Sequence, residues 1–566
     1  MKPTSMRVAG ALMAAVMLLL SACSKPSDPG GGSNTGGGTG QSSTGQSSTG
    51  QGASGSDGSQ GSQVRRGPNG EVYGGVYRMA VAAEPAGIDP HIDTTLFTYR
   101  LARNIFSTLV RYKGDTLELE PELLAEMPTI SADGRTYSFR LKEGVKFHNG
   151  ATLTAEDVKY TFERLLTPAT KAANTWVLQD VVGADEMLNG TATELAGLKV
   201  TGEYSFELTL KQPFGPFLTY LATAPASIYP AEYARAKGDA FAREPVGTGP
   251  FRLKEWRENE LLVLERNPDF FEDGYPFLDA IEYRVIADES TRWLEFEAGN
   301  LDSSEIPTVE WENATQSGRW KVWETTTLNT YYLSLQLEMV PDRRVREAIS
   351  LAIDRQKIID TIHNGTGAPA IGFTSPGIVG ALTDAPGFPY DPDRARQLIQ
   401  EAGAQGMTIV SWQRGGDKVT DSNLAIQQML AEVGLNYVVE IYDSATFREA
   451  RANGEIMANQ GNWFADYPDP DNYLWTYFHS SSSKGMSVAM NDPEVDRILE
   501  EARISSDQAA RVRAYQDLEW KLLYEDYAIV PLWHLKSYFV SQPNVYGFRL
   551  NPVFVYDYKT VWKDVN

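Results

Sequence analysis

Cys23 is the only cysteine in this 566-residue chain. A single thiol excludes intrachain disulfides, CxxC redox chemistry and cysteine-rich metal centres. Histidine is scarce as well. His91, His148, His363, His479 and His534 are scattered, and no two stand at metal-ligand spacing. Positive charge is in deficit, with 51 Lys and Arg against 74 Asp and Glu and a formal net charge of −23. Phosphate binding by counterion release needs a basic face, so this balance argues against a nucleic-acid partner. Cationic or zwitterionic small ligands remain compatible with it. No GxSxG, HExxH or related catalytic signature appears. "GTGPF" at Gly247–Phe251 lacks the lysine and glycine spacing of a phosphate loop, and its glycines are expected to permit a turn into a strand. A binding protein without catalysis, metal or cofactor is the expectation.

Long apolar runs are missing too. The longest candidate, Val8–Ala22, is shorter than the roughly 20 residues of a spanning helix. It follows Lys2 and Arg7 and ends in Leu20-Ser21-Ala22-Cys23, which resembles a bacterial lipobox. The reading is a signal segment over 1–22 and a lipid on Cys23; the plainer alternative is an ordinary signal peptide with a chance cysteine. Residues 23–68 are rich in Gly, Ser, Thr and Gln, with "GQSST" repeated and almost nothing apolar to bury. Such a segment is a tether, and a random coil of its length spans ~35 Å on average. Together these features place the protein at the cell membrane, lipid-anchored on the extracytoplasmic side, at the cell surface or in the periplasm.

Beyond residue 68 the composition turns globular. Two or three domains are expected from the length. "GGVYRMAVA" alternates like an opening strand, "TYSFRLKEGVKFHNG" looks like two strands, and "LLVLERNPDFF" with "AIEYRVIA" reads as a strand pair. Thr154 and Asp157 have the spacing of a helix capping box. Val345, Ile349, Ala352, Ile353 and Ile358 recur at helical spacing. Helix then strand alternate from about 390 to 540, which indicates an α/β body.

One short stretch concentrates chemistry: "GNWFADYPDPDNYLW", Gly461–Trp475. Its acids could be catalytic carboxylates, metal ligands, a solvated loop or an anchor for a positively charged ligand. A calcium loop fails on spacing, because acids every second residue, a central glycine and a late glutamate are absent. A glycosidase pair would need a set carboxylate separation, which nothing here favours over turn chemistry. Asp469 and Asp471, beside prolines and Asn472, look like turn and helix-cap residues.

"AVAAEPAGIDPH", "DGRTYSFRLKEGVKFHNGATLTAEDVKYTFERL", "EPVGTGPFRLKEW", "LERNPDFF" and "DRRVREAISLAIDR" follow one another between Ala80 and Arg355. In that order they resemble the extracytoplasmic solute-binding proteins of peptide ABC importers, the oligopeptide and dipeptide group. The resemblance covers nearly all of the chain from about Tyr77 onward. It implies an α/β, two-lobed periplasmic-binding-protein-like fold (type II) with an extra subdomain in the first lobe. Lobe I would comprise 69–112, 235–325 and 529–566, the subdomain 113–234 and lobe II 326–528, hinged near Leu328 and Pro531. Its site would hold a peptide between the lobes and present the closed form to ABC transporter permease subunits; a monomer is expected.

Within that family a Trp-x-x-Asp-Tyr-x-x-Pro pattern places its aspartate on the ligand's α-amino group, and Trp463, Asp466, Tyr467 and Pro470 match it. Asp466 would then be the anchor, with Trp463 and Tyr467 as apolar walls. Arg451 stands where some relatives carry a carboxylate-contacting arginine. A second such arginine is here Gln460, which leaves the carboxylate site open, and Arg448 one turn away could substitute. Glu84 lies where the first lobe's loop faces the cleft. A metal chelate, opine or oligosaccharide in the same fold, or a surface peptide-sensing receptor, are the competing readings.

Overall fold

Three β-sheets, each with its own packed core, organise the chain. The computed structural model describes residues 65–416, 418–553 and 556–564. Cys23, the apolar segment before it and most of the tether lie outside the described residues.

The first sheet contains β1 (Val76–Val81), β2 (Phe251–Arg257), β3 (Leu261–Arg266) and β4 (Ala280–Val285) in the order β1-β4-β3-β2. β1 runs parallel to β4, and the expected pair β3 and β4 is antiparallel, with Ile281 opposite Leu264. Helix α1 (Leu96–Ile105), capped by Thr95, covers the sheet through Leu101, Ala102 and Ile105. The chain then passes so close to the end of α1 that a Cβ on Gly247 or Gly249 would collide with the Ile105 and Asn104 carbonyls. These glycines serve close approach, not the turn expected for them.

The second sheet has strands 129–130, 136–140, 205–209 and 198–202 in that order, all antiparallel. Helix 155–166 packs on it through Val158, Phe162 and Leu165. The Asp157 carboxylate accepts from both the Thr154 amide and its hydroxyl, as the capping pattern predicts. Only the first of the two strands read in "TYSFRLKEGVKFHNG" forms. Gly144 and Gly150 turn the remainder with positive φ, and Lys146 keeps one isolated bridge to Thr152.

The largest sheet joins β5 (Lys321–Thr326), β6 (Asn329–Leu335), β7 (Thr408–Arg414), β8 (Asn436–Tyr442), β9 (Ala458–Phe464) and β10 (Ile529–Ser541). β7 and β8 are parallel, and β9 is antiparallel to β6. β10 is shared. Its first half pairs with β6 (Ile529 opposite Ser334) and its second half with β5 (Lys536 opposite Thr326). Between Trp533 and Lys536 the pairing partner of β10 changes from β6 to β5. Pro531 lies opposite Tyr332 beside a register shift. A residue without an N–H is accommodated at such an irregularity. The helical pattern near 350 is broken into Arg343–Ala352 and Arg355–Ile362, because Asp354 caps the second helix on the Lys357 amide. Leu333, Ile349, Ile409, Ile426 and Val530 form the core of this lobe.

Candidate ligand-binding site

The acidic stretch leaves β9 and enters helix α2 (Pro470–Phe478). Asp469 is the helix cap, accepting from the Asp471 amide at 2.9 Å, with Pro470 in the first helical position. Both acids are buried and saturated. Asp469 takes two bonds from Arg511, at 2.9 and 2.5 Å. Burial works against the Arg511 charge, but Asp469 overrides it and holds the guanidinium above its usual range. Asp471 accepts from the hydroxyls of Tyr467 and Tyr515, at 2.7 and 3.1 Å. These two residues hold the loop, in keeping with the cap and turn roles read for them.

Asp466 differs in every respect. No Lys, Arg or His among the described residues pairs with it. Its carboxylate accepts only one long bond, 3.4 Å from Asn472 Nδ2. The side chain is open to solvent, yet protein crowds it closely enough that burial pushes its carboxyl pKa up, against the opposing Asn472 bond. The Asn472 side chain fixes this geometry: its Oδ1 accepts from Trp463 Nε1 at 2.9 Å and from the Asp466 amide at 3.1 Å. Trp463 is half-buried, edge-on to Tyr477 at 5.5 Å. On α1 the Tyr99 hydroxyl is raised by burial against the Asn174 bond, with the Asp466 charge adding to the shift.

Three expected site residues are engaged elsewhere. Tyr467 is only 5% exposed, and its ring packs on Tyr220 at 4.6 Å and Trp176 at 5.9 Å, inside the core of the second sheet. It joins two parts of the fold and is not an open wall; the motif fixes its sequence neighbour, not its direction. Glu84 accepts from Trp256 Nε1 at 2.9 Å and the Asn259 amide at 3.0 Å, so its own lobe satisfies it. Arg451, in helix 444–453, donates to the Gly485 carbonyl and turns toward Met486, with no anionic partner among the described residues. Arg448 is exposed.

Asn472, Tyr99 and Arg414 were not singled out from the sequence. Arg414 ends β7. Ser411 stands opposite Ala458 in parallel β9. A Cβ at Gly461 would meet Tyr332 Oη at 2.9 Å, and that hydroxyl feels the charges of both Arg451 and Arg414. Arg414 is exposed and unpaired among the described residues. Among the described residues, Asp466 beyond the end of β9 thus has no cation, and Arg414 and Arg451 have no anionic partner. Among the described residues, no group of three or more His, Cys, Asp or Glu could hold a metal ion.

Residues 118–485 match the model for bacterial extracellular solute-binding proteins, family 5. The chain belongs to that family. A probable di/tripeptide-binding protein of Pseudomonas aeruginosa is 29% identical over 85% of this chain and 94% of its own length. Heme-binding protein A of Haemophilus influenzae is 27% identical over 84% of this chain and 90% of its own. The periplasmic binding protein DppA of Helicobacter pylori, solved with the peptide STSA, superposes with a TM-score of 0.72 at 26% identity, covering 87% of this chain and 98% of that one. The two-lobed α/β fold of type II periplasmic binding proteins is therefore that of this family member, and the family is one of substrate binders.

Proposed function

We propose that this solute-binding protein captures short peptides by their free ends, with Asp466 receiving the α-ammonium. The observation that carries this reading is the exposed Asp466 carboxylate, which has no cation among the described residues and only one long bond, from Asn472. An ammonium withdrawn from water needs an anion and charge-assisted bonds, and only this acid in the stretch is free to supply them. Trp463 forms one wall and Tyr99 the other. Arg414, with Arg451 behind it, is the cation for the ligand's carboxylate, in the place left open by Gln460. The lobes are taken as 69–112 with 235–325 and the C-terminal segment, and 326–528; residues 113–234 form the inserted subdomain. Ligand drives closure through the contacts it makes only in the closed state, and the closed form is delivered to the permease of an ABC importer. Cys23 carries the lipid that tethers a monomer outside the cytoplasmic membrane.

A second reading, a haem or other non-peptide solute in the same cleft, is favoured by the similarity to heme-binding protein A. Mass spectrometry of the solute released on denaturing the purified protein separates the two. Peptides are expected; recovery of a porphyrin, sugar or metal chelate in stoichiometric amount would overturn the peptide reading.

A further inference from the structure

Arg503 lies in the last turn of helix 493–504. On its own lobe the guanidinium lies 4.1 Å from the centre of the Trp475 ring and 3.5 Å from Asp471, the acid at the root of the Asp466 loop. On the far side it lies 4.9 Å from the Phe214 ring, and its carbonyl accepts from the Gly215 amide at 3.4 Å. Phe214 and Gly215 belong to the inserted subdomain. Asp180, in the same part of the fold, feels the Arg503 charge without forming an ion pair with it. Burial pushes its carboxyl up, and Arg503 is the largest opposing influence. Asp180 Oδ2 is buried with no partner, and so is Arg503 Nε. The nearest other cation, Lys211, is already spent on Asp185 and the Gln179 carbonyl.

A buried acceptor without a donor and a buried donor without an acceptor therefore occur on opposite sides of one boundary. Each is costly alone, and pairing them removes both costs. We propose that Arg503 is a positioning residue that couples the ligand anchor to closure, holding the Asp466 loop through Asp471 while it engages Asp180 and Phe214 of the subdomain. Closure completes the Arg503–Asp180 bond, and the same movement sets the loop that carries Asp466. Arg503 touches no ligand; its effect passes through Asp471 and Tyr467, whose ring is already seated in the subdomain. This inference rests on Asp466 as the anchor, but its structural half does not depend on what is bound.

The test pairs Arg503→Gln with Asp180→Asn, a residue with no contact to Asp466 or Asn472. The tetrapeptide Ser-Thr-Ser-Ala serves as the probe in stopped-flow kinetics. Each variant is expected to release it about tenfold faster at an unchanged association rate, the size of one charged hydrogen bond. The double variant is expected to be no faster than either single one, because both break the same contact. Small-angle scattering of the ligand-free protein provides the second arm, in which Asp180→Asn should be more open than wild type at an unchanged unfolding midpoint. Multiplying effects in the double variant, or wild-type release and wild-type scattering for Asp180→Asn, would overturn the proposal. If scattering shifts while no peptide binds even the wild type, the coupling stands and the peptide reading falls.

Discussion

Asp466 and Asp469 are three residues apart in one loop and have opposite environments. Asp469 is buried, caps a helix and holds Arg511 by two bonds. Asp466 is open to solvent, crowded, and bonded weakly to one amide. Folding has satisfied the first and left the second unsatisfied. A carboxylate that structure needs is paired within the structure; one that a ligand needs must be kept unpaired until the ligand arrives. On the proposed reading, fifteen residues contain a scaffold and a ligand anchor, and the scaffold's acids hold the loop that carries Asp466.

That contrast can be broken at several points. Removing the scaffold's cation should have the largest effect. Arg511→Ala leaves Asp469 as an uncompensated buried charge and should cost about 3–5 kcal/mol of stability in denaturant unfolding. Asp466→Asn should do the reverse. Peptide affinity should fall by about 2–5 kcal/mol in calorimetry, as when one member of a desolvated charge pair is lost. Stability without ligand should hold or rise. The sign follows from the direction of the shift: a folded-state pKa raised by burial means the charged carboxylate burdens the fold at neutral pH, and that burden lifts only as pH falls through the raised value. Arg414→Ala should weaken peptides by about 1.5–3 kcal/mol and spare their C-terminal amides, as expected of a lost charged hydrogen bond. Asn472→Ala, which frees Trp463 and the Asp466 amide, should cost about 1–2 kcal/mol of affinity with little change in stability.

The same pKa direction sets the pH window for binding. Protonation of Asp466 removes the anion, so affinity should fall as pH drops through its raised pKa, at a higher pH than for an ordinary aspartate. At the other end, affinity should decline above about pH 8, where a ligand's α-amino group loses its proton. An affinity flat from pH 4 to pH 9 would contradict the charge-pair account.

What could be read from the chain was what is local. The capping pair Thr154–Asp157, the strand pair β3–β4 and the cap at Asp469 depend on near neighbours and stand as expected. Trp463 and Asp466 are on one short segment, so their proximity is written in their spacing. Contacts between distant segments left no such mark. Tyr99 feels the Asp466 charge from a helix near the start of the folded body, and Arg503 lies against the Phe214 ring, much earlier in the chain. Tyr467 shows the limit of a motif: its place in the sequence was readable, but the cavity formed by Tyr220 and Trp176 that takes its ring was not.

The central claim is that one unpaired carboxylate holds one ammonium. Calorimetry of wild-type protein and Asp466→Asn with Ser-Thr-Ser-Ala and its N-acetylated form tests it most directly. The account predicts that wild type binds the free amine at least about thirtyfold more tightly than the acetylated peptide, from the loss of a charge-assisted contact, and that Asp466→Asn no longer distinguishes them. Equal affinity of the wild type for both peptides, or full discrimination retained in the variant, would contradict it.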